Sequence, residues 1–379
     1  MAAPVECPTI EVSGAPREQG RQYGEQAAAR IRLGVQHYTD QIRKKNVSQA
    51  VIEETALGFE SQVAAFDANY FEEMHGIAEG ARVNFASVML LNARTELLKL
   101  AGRTEASREL HDECTGLVVL PKASKEGALI HAQNWDWKTE CVDTAVVLKI
   151  RNEDGPDIIT FTEAGVLARF GFNTAGISIT GNYLECERDY RRLGVPLALI
   201  RRKVLEQDLL GRAMHAVYTT PKSASNNIIV TQSEGIAIDF ECVPDETFMI
   251  QPQDGLIVHA NHFQSPVALS KLTDTGIANM PDSLYRDTRV RGSLEPHVGQ
   301  ITVDHVKTAL FDDYQSPWSV CRPPRPSFSG NNQSVTVAMI VMQPAKAIMD
   351  VALLPALHRN FTRYNLAPKD VAGGTRSAA

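Results

Sequence analysis

The chain has no block of consecutive basic residues and a formal net charge of -7, so nothing in it points to the phosphates of a nucleic acid. It lacks any apolar run near the roughly 20 residues that a membrane span requires, which removes a spanning helix from the candidate readings. Its 6 cysteines are scattered without a CxxC pair, which argues against a disulfide framework and for reduced thiols. There is no glycine-rich phosphate loop. The opening residues Met1 to Glu6 lack the charged and apolar regions of a secretory signal. These absences together predict a cytoplasmic protein. What is present is 44% hydrophobic and 22% charged residues over 379 positions, enough to bury a sizeable core.

The chain divides into two halves of opposite pattern. After a short strand near Thr9 to Val12, apolar residues recur every three or four positions: Tyr23, Ala27, Ile31, Val35, Tyr38 and Ile42 mark a helix over Pro16 to Gln41. Ser48 is placed to cap a second helix reaching Phe66. Phe71 to Ala81 reads as a third, and Asn84 as the cap of a fourth through Leu98. A charged stretch from Arg103 to Glu113 closes this half. From Leu117 the period changes to two. Strands are predicted at Leu117–Leu120, Ala128–Gln133, Ala145–Ile150, Asp157–Thr162, Ile177–Thr180, Asn227–Thr231 and Ile236–Cys242. A final hairpin joins Val335–Met342 to Ile348–Leu354. Helices return at Pro196–Gln207, Leu209–Tyr218, Asp282–Leu294 and Val303–Phe311, and the tail from Ala367 to Ala379 reads as mobile. Helices and antiparallel strands in separate runs predict an α+β fold in which helices cover stacked sheets.

Cys114 stands at the switch between the halves, where an exposed polar linker meets the first β segment. That placement suggests an N-terminal nucleophile concealed in a precursor. Cleavage of the Glu113–Cys114 bond would give Cys114 both a thiol, of intrinsic pKa about 8.5, and an α-amine of about 7.7–8, so the amine can act as the base of the thiol. A strand leaving Cys114 and a second returning antiparallel bring Asp136, in Gln133-Asn134-Trp135-Asp136-Trp137, back beside it. A buried carboxylate there can orient the amine, whereas the plainer reading of Asn134 and Asp136 is a turn at a strand end.

Asn261, in His259-Ala260-Asn261-His262, and Asn182, in Thr180-Gly181-Asn182-Tyr183, are candidate oxyanion donors, a role in which losing one donor costs about 3–4 kcal/mol. For either residue alone, a turn-forming asparagine is the plainer reading. Arg322, followed by Pro323 and Pro324, can neutralise a carboxylate of the site, bind an acidic substrate group, or lie on the surface. Two other assignments use the same residues. His259 or His262 could form a Cys–His dyad with Cys114, without cleavage. His111, Cys114, His259 and His262 could hold a metal, although His259 and His262 on one strand would point to opposite faces.

Jointly these segments resemble the isopenicillin N acyltransferase family, which includes β-alanyl-dopamine hydrolase and, more distantly, the penicillin V acylases and bile salt hydrolases. The resemblance is carried by Gln19-Gly20-Arg21-Gln22-Tyr23-Gly24, Asn92-Ala93-Arg94-Thr95-Glu96, Cys114-Thr115, Gln133-Asn134-Trp135-Asp136, Thr162-Glu163-Ala164-Gly165, Gly171-Phe172-Asn173-Thr174-Ala175-Gly176, His259-Ala260-Asn261-His262 and Ser319-Val320-Cys321-Arg322. It spans Pro8 to Leu354 and implies a four-layer αββα N-terminal nucleophile (Ntn) hydrolase fold, two antiparallel sheets between helices. It also implies self-cleavage before Cys114 into a helical segment, residues 1–113, and a β-rich segment, residues 114–379, that together form one domain. By this likeness Cys114 is the nucleophile, Asp136 its positioning carboxylate, and Asn261, Asn182 and Arg322 further site residues. Two departures stand out: Glu113 replaces the usual glycine before the nucleophile, and Gln133 replaces the arginine of the bile salt hydrolases, which disfavours a bile-acid substrate.

The expected activity is therefore cofactor-free hydrolysis of a small N-acyl amine, a β-alanyl amide or penicillin-like compound, through an acyl-thioester on Cys114. Its partners would be that substrate and the cleaved small segment, with self-association left open. The alternatives are acyl transfer from an acyl-CoA, the Cys–His hydrolase, and a catalytically silent binding protein.

Overall fold

A computed structural model describes residues 6–100, 113–327 and 330–366. The charged linker before Glu113 and the tail after Leu366 lie outside the described residues.

The four helices expected in the first half are seven among the described residues. The first is divided at Ala27 into Pro16–Gln26 and Ala28–Arg43, the second around Gly58 into Gln49–Leu57 and Glu60–Phe66, and the fourth at Ala93 into Phe85–Asn92 and Arg94–Leu100. The apolar stripe continues across each break, so periodicity alone carries no mark of it. The predicted caps form: Ser48 accepts the Val51 N–H at 3.4 Å and Asn84 accepts the Ser87 N–H at 2.8 Å. Ala68–Ala81 ends where Arg82 turns left-handed at φ 56°. It packs backbone to backbone on Pro16–Gln26. A Cβ on Gly20 would lie 1.9 Å from the Glu73 carbonyl oxygen, and one on Gly76 would lie 2.1 Å from that of Arg17. No side chain fits at either position.

Two sheets follow. The first runs, in spatial order, Thr9–Ser13, Ala145–Arg151, Ile158–Glu163, Phe170–Asn173, Ile177–Tyr183, Asn226–Gln232, Ile236–Cys242 and Thr247–Ile250. It is antiparallel except that Thr9–Ser13 joins Ala145–Arg151 in parallel. A parallel neighbour needs a long crossover, and the helical half supplies it. The second sheet runs Leu256–His259, Glu113–Val119, Ile130–Lys138, Gly330–Gln343, Ile348–Leu353 and Thr362–Asn365, with Arg325–Ser327 paired to one end of Gly330–Gln343. Three expectations change here. The first β segment starts at Glu113 rather than Leu117, the strand after it extends through Asp136 to Lys138, and four short strands carry no readable alternation: Phe170–Asn173, Thr247–Ile250, Arg325–Ser327 and Thr362–Asn365.

The layers follow from the alternation of side chains. Leu117, Val119, Ala132, Val258, Met339 and Val341 leave the second sheet outward and pack on Val290 and Leu294 of helix Ser283–Leu294 and on Val306 and Leu310 of helix Val303–Leu310. Trp135 points inward and meets Phe161 of the first sheet edge to face. One continuous core joins Tyr23, Ile31 and Leu91 of the helical half to Val147, Phe161 and Trp135. The result is the expected order of helices, sheet, sheet and helices, an α+β architecture. No helix among the described residues is long and apolar enough to cross a membrane.

Candidate active site

Cys114 is the second residue of its strand, 1% exposed, with Trp135 directly opposite on the neighbouring strand. Opposed residues share a face, so the sulfur points inward between the sheets, and Glu113 and its partner Asp136 point outward. Asp136 thus stands one register position from Cys114, as anticipated, but across from Glu113 and on the face away from the sulfur. It lies within the strand, which removes the turn reading. Its Oδ1 accepts from the Thr336 hydroxyl at 2.7 Å, and its Oδ2 is 3.4 Å from Nε of Arg322. Burial pushes its carboxyl up against the opposing pull of Arg322.

Asn261 lies just beyond strand Leu256–His259, whose His259 pairs with Gly116, so it comes level with Cys114. Its Oδ1 accepts the Cys114 backbone N–H at 2.8 Å and Nη2 of Arg286 at 2.8 Å, while its Nδ2 donates to the Tyr183 carbonyl at 2.9 Å. Two pure donors on one side and a pure acceptor on the other fix the orientation of this amide. Asn182 stands on the facing sheet. Its Nδ2 donates to the His259 carbonyl at 2.8 Å, and its Oδ1 accepts from Gln133 at 2.9 Å. Gln133 spans the two sheets, exchanging bonds with the backbone of Gly181 at 2.9 and 3.1 Å.

Arg322 is fully buried and not a surface residue. It pairs with Glu113 at 2.6 Å, with Asp136, and closely with Asp282. Arg286 and Arg325 also reach Glu113, at 3.4 and 3.2 Å. Three arginines and three carboxylates therefore form one buried cluster behind the Glu113–Cys114 peptide. Burial alone would raise the Glu113 carboxyl, but Arg322, Arg286 and Arg325 outweigh it and bring it down to about 2. The Glu113 side chain is thus absorbed as the anion at the centre of this cluster.

The sequence reading missed Arg286. Its Nη1 donates to the Cys114 carbonyl at 2.6 Å and to the Thr115 hydroxyl at 2.8 Å, and its Nε pairs with Asp282 at 2.8 Å. A signal did exist: Asp282, Arg286, Val290 and Leu294 recur at helical spacing, so Arg286 lies on the same buried stripe as two core residues.

The histidines do not pair with the thiol. His259 uses Nδ1 on the Ala260 carbonyl and Nε2 on Glu241, each at 2.9 Å, and His262 places Nδ1 2.8 Å from the Ser283 hydroxyl. The strand ends at His259, so the two rings do not diverge as they would on a continued strand; their centroids are 6.3 Å apart. No group of three His, Cys, Asp or Glu residues among the described residues is arranged to hold a metal, and His111 lies outside them. All six cysteines are buried and none forms a disulfide.

Residues 123–354 match the family described as acyl-coenzyme A:6-aminopenicillanic acid acyl-transferase. The 40 kDa form of the acyl-coenzyme A:6-aminopenicillanic-acid-acyltransferase of Emericella nidulans is 28% identical over 318 residues, covering 83% of this chain and 84% of that protein. Among solved structures, the Caenorhabditis elegans ortholog of N-acylethanolamine-hydrolyzing acid amidase superposes with a TM-score of 0.44 at 16% identity, over 61% of this chain and 93% of that one. Penicillin V acylase from Agrobacterium tumefaciens gives 0.44 at 15% identity, over 67% of this chain and 86% of that one.

Proposed function

The chain belongs to the acyl-coenzyme A:6-aminopenicillanic acid acyl-transferase family, an enzyme of the amide-cleaving or acyl-transferring type, and from that premise we propose that it is a self-cleaving N-terminal-cysteine amidohydrolase for small N-acyl amines. The observation that carries the reading is the 2.8 Å bond from the Cys114 nitrogen to Asn261. That nitrogen becomes the α-amine if the Glu113–Cys114 bond is cut, and it is already held at a defined place.

In the first step the Cys114 thiol attacks the Glu113 carbonyl, and its proton passes to the Cys114 nitrogen as the peptide C–N bond breaks in favour of a thioester. Water hydrolyses that thioester to a Glu113 carboxylate and the free Cys114 thiol beside its new amine. In turnover the amine takes the thiol proton and the sulfur attacks the substrate carbonyl. Asn261 and a backbone N–H stabilise the oxyanion, and the proton returns to the departing amine. Water then releases the acid from the acyl-thioester. Asp136, Arg322 and Arg286 act on the outer face by fixing the strand and the Cys114 carbonyl, while Asn182 ties the two sheets beside the sulfur. The helical segment remains attached after cleavage. In support, Tyr38 and Arg94 bond the buried Glu163 at 2.5 and 2.8 Å, and Tyr70 bonds Glu206 at 2.5 Å. A cytoplasmic location belongs to the same proposal, supported by six cysteines without a disulfide.

A second reading, acyl transfer from an acyl-CoA to an amine, is favoured by the likeness to the Emericella nidulans acyltransferase. One assay separates the two. Hydrolysis predicts free acid and amine from N-acyl amines, β-alanyl amides or penicillins with no thioester added. Inertness on all of these, with rapid acylation of an amine from an acyl-CoA, would establish transfer instead.

A further inference from the structure

We propose that His259 and Glu241 form a positioning device for the Cys114 site: an imidazolium locked to a carboxylate, which together hold the loop that carries Asn261. The proposal rests on the reading of Cys114 and Asn261 given above, but its first test does not depend on turnover.

The charge state follows from the partners. The His259 ring is fully buried, and its Nδ1 lies 2.9 Å from the Ala260 carbonyl, which can only accept, so Nδ1 carries a proton. Its Nε2 lies 2.9 Å from Oε1 of Glu241. The same carboxylate accepts the backbone N–H of Gln264 at 2.5 Å and of Ser265 at 3.1 Å. Its named partners all donate to it, as suits an ionised carboxylate facing an N–H on Nε2. The other charged neighbours agree. Oδ2 of Asp239 is 3.9 Å from Nε2, Asp287 stands 3.8 Å from Nε2 of His262, and the charge of Arg286 opposes protonation of His262. Burial would lower His259, but Asp239 and Glu241 outweigh it and raise it to about 9. Burial and the His259 charge push His262 down to about 4, so the pair carries one proton charge between two rings.

The consequence is geometric. The His259 ring grips the Ala260 carbonyl at one end of the loop, and Glu241 grips the Gln264 and Ser265 N–H groups at the other. Asn261 is suspended between them. The facing sheet is tied to the same pair: the His259 carbonyl accepts from Asn182, Asp239 accepts from Asn227 at 2.7 Å, and Asn227 accepts the Asn182 N–H at 2.6 Å. His259 is therefore a positioning residue and not the base of the thiol, since both ring nitrogens are engaged elsewhere. A group raised in this way stabilises fully below its ordinary value, about 6.5, and the benefit is lost as pH rises through about 9.

The test uses the full-length enzyme labelled with 15N in histidine and asparagine. At about pH 7.5 one histidine should show both ring nitrogens protonated, and that signal should be missing from His259→Gln. The Asn261 side-chain amide resonances should shift in Glu241→Ala, with no substrate present. In turnover, Glu241→Ala and His259→Gln should each lower kcat by about 10- to 100-fold, as for a small misplacement of a reacting group, with a much smaller change in KM. Glu241→Gln, which keeps an acceptor for the loop, should restore most of the loss while its His259 titrates lower. A neutral His259 at that pH, or Asn261 resonances unmoved in Glu241→Ala, would overturn the proposal. Absence of any amide turnover beside an intact imidazolium signal would instead count against the proposed function.

Discussion

Asn261 reaches across from the end of the neighbouring strand to hold the backbone nitrogen of Cys114, with its Oδ1 2.8 Å away. Arg286 braces the same oxygen and the Cys114 carbonyl, so the backbone of Cys114 is held on both sides. The sulfur is left to the inner face. This arrangement separates the holding of the nitrogen, done from the strand edge and the outer face, from the chemistry proposed for the thiol.

Replacing Asn261 by Ala removes both the anchor of the nitrogen and a candidate oxyanion donor. kcat should fall by about 10²–10³-fold, the range for loss of one oxyanion donor, while urea unfolding shows a folded protein. Steady-state kinetics on an N-acyl amide give the answer, and a loss under tenfold would remove Asn261 from the chemistry.

Glu113 should make stability depend on acid in a particular window. Its carboxyl is depressed from 4.5 to about 2, so it stabilises the chain above its ordinary value, and the benefit is lost as pH falls towards about 2. In a Cys114→Ala background, where the chain stays continuous, Glu113→Gln should be less stable at neutral pH. The gap should close between about pH 4.5 and 2. Urea unfolding across that range measures it, and a constant gap would show that Glu113 is not the anion of the arginine cluster.

Gly76→Ala places a methyl group against the Arg17 carbonyl, where a Cβ would lie 2.1 Å away, and should destabilise by about 1–3 kcal/mol or more. Gly211 lies in helix Leu210–Thr219 with nothing within 4 Å of its Cβ position. Gly211→Ala should leave stability unchanged or raise it by about 0.5–1 kcal/mol. Thermal unfolding of the two variants compares them directly; equal effects would refute the close helix contact.

The outline of the fold was legible because the hydrophobic period changes at Cys114 and because Ser48 and Asn84 announce helix starts. Helix breaks at Ala27 and Ala93 were not, since the stripe of buried residues runs through them. Residues near Cys114 could be named from their type and from a joint resemblance, but their faces could not. Asp136 turns out to point away from the sulfur because register, not proximity in the chain, decides the side of a sheet. Arg286 escaped notice because a charged residue on a core stripe looks like an interruption of the stripe until its partners, Glu113 and Asp282, are known. The role of His259 likewise depends on Glu241 from the other sheet, a contact that spacing does not reveal.

The central claim, that Cys114 becomes an N-terminal nucleophile, is tested most directly by intact mass spectrometry of the purified protein alongside its activity. The account predicts two chains, residues 1–113 and 114–379, copurifying in the active enzyme, and a single inactive chain for Cys114→Ala. A preparation that is fully active while every molecule remains one uncleaved chain would contradict it.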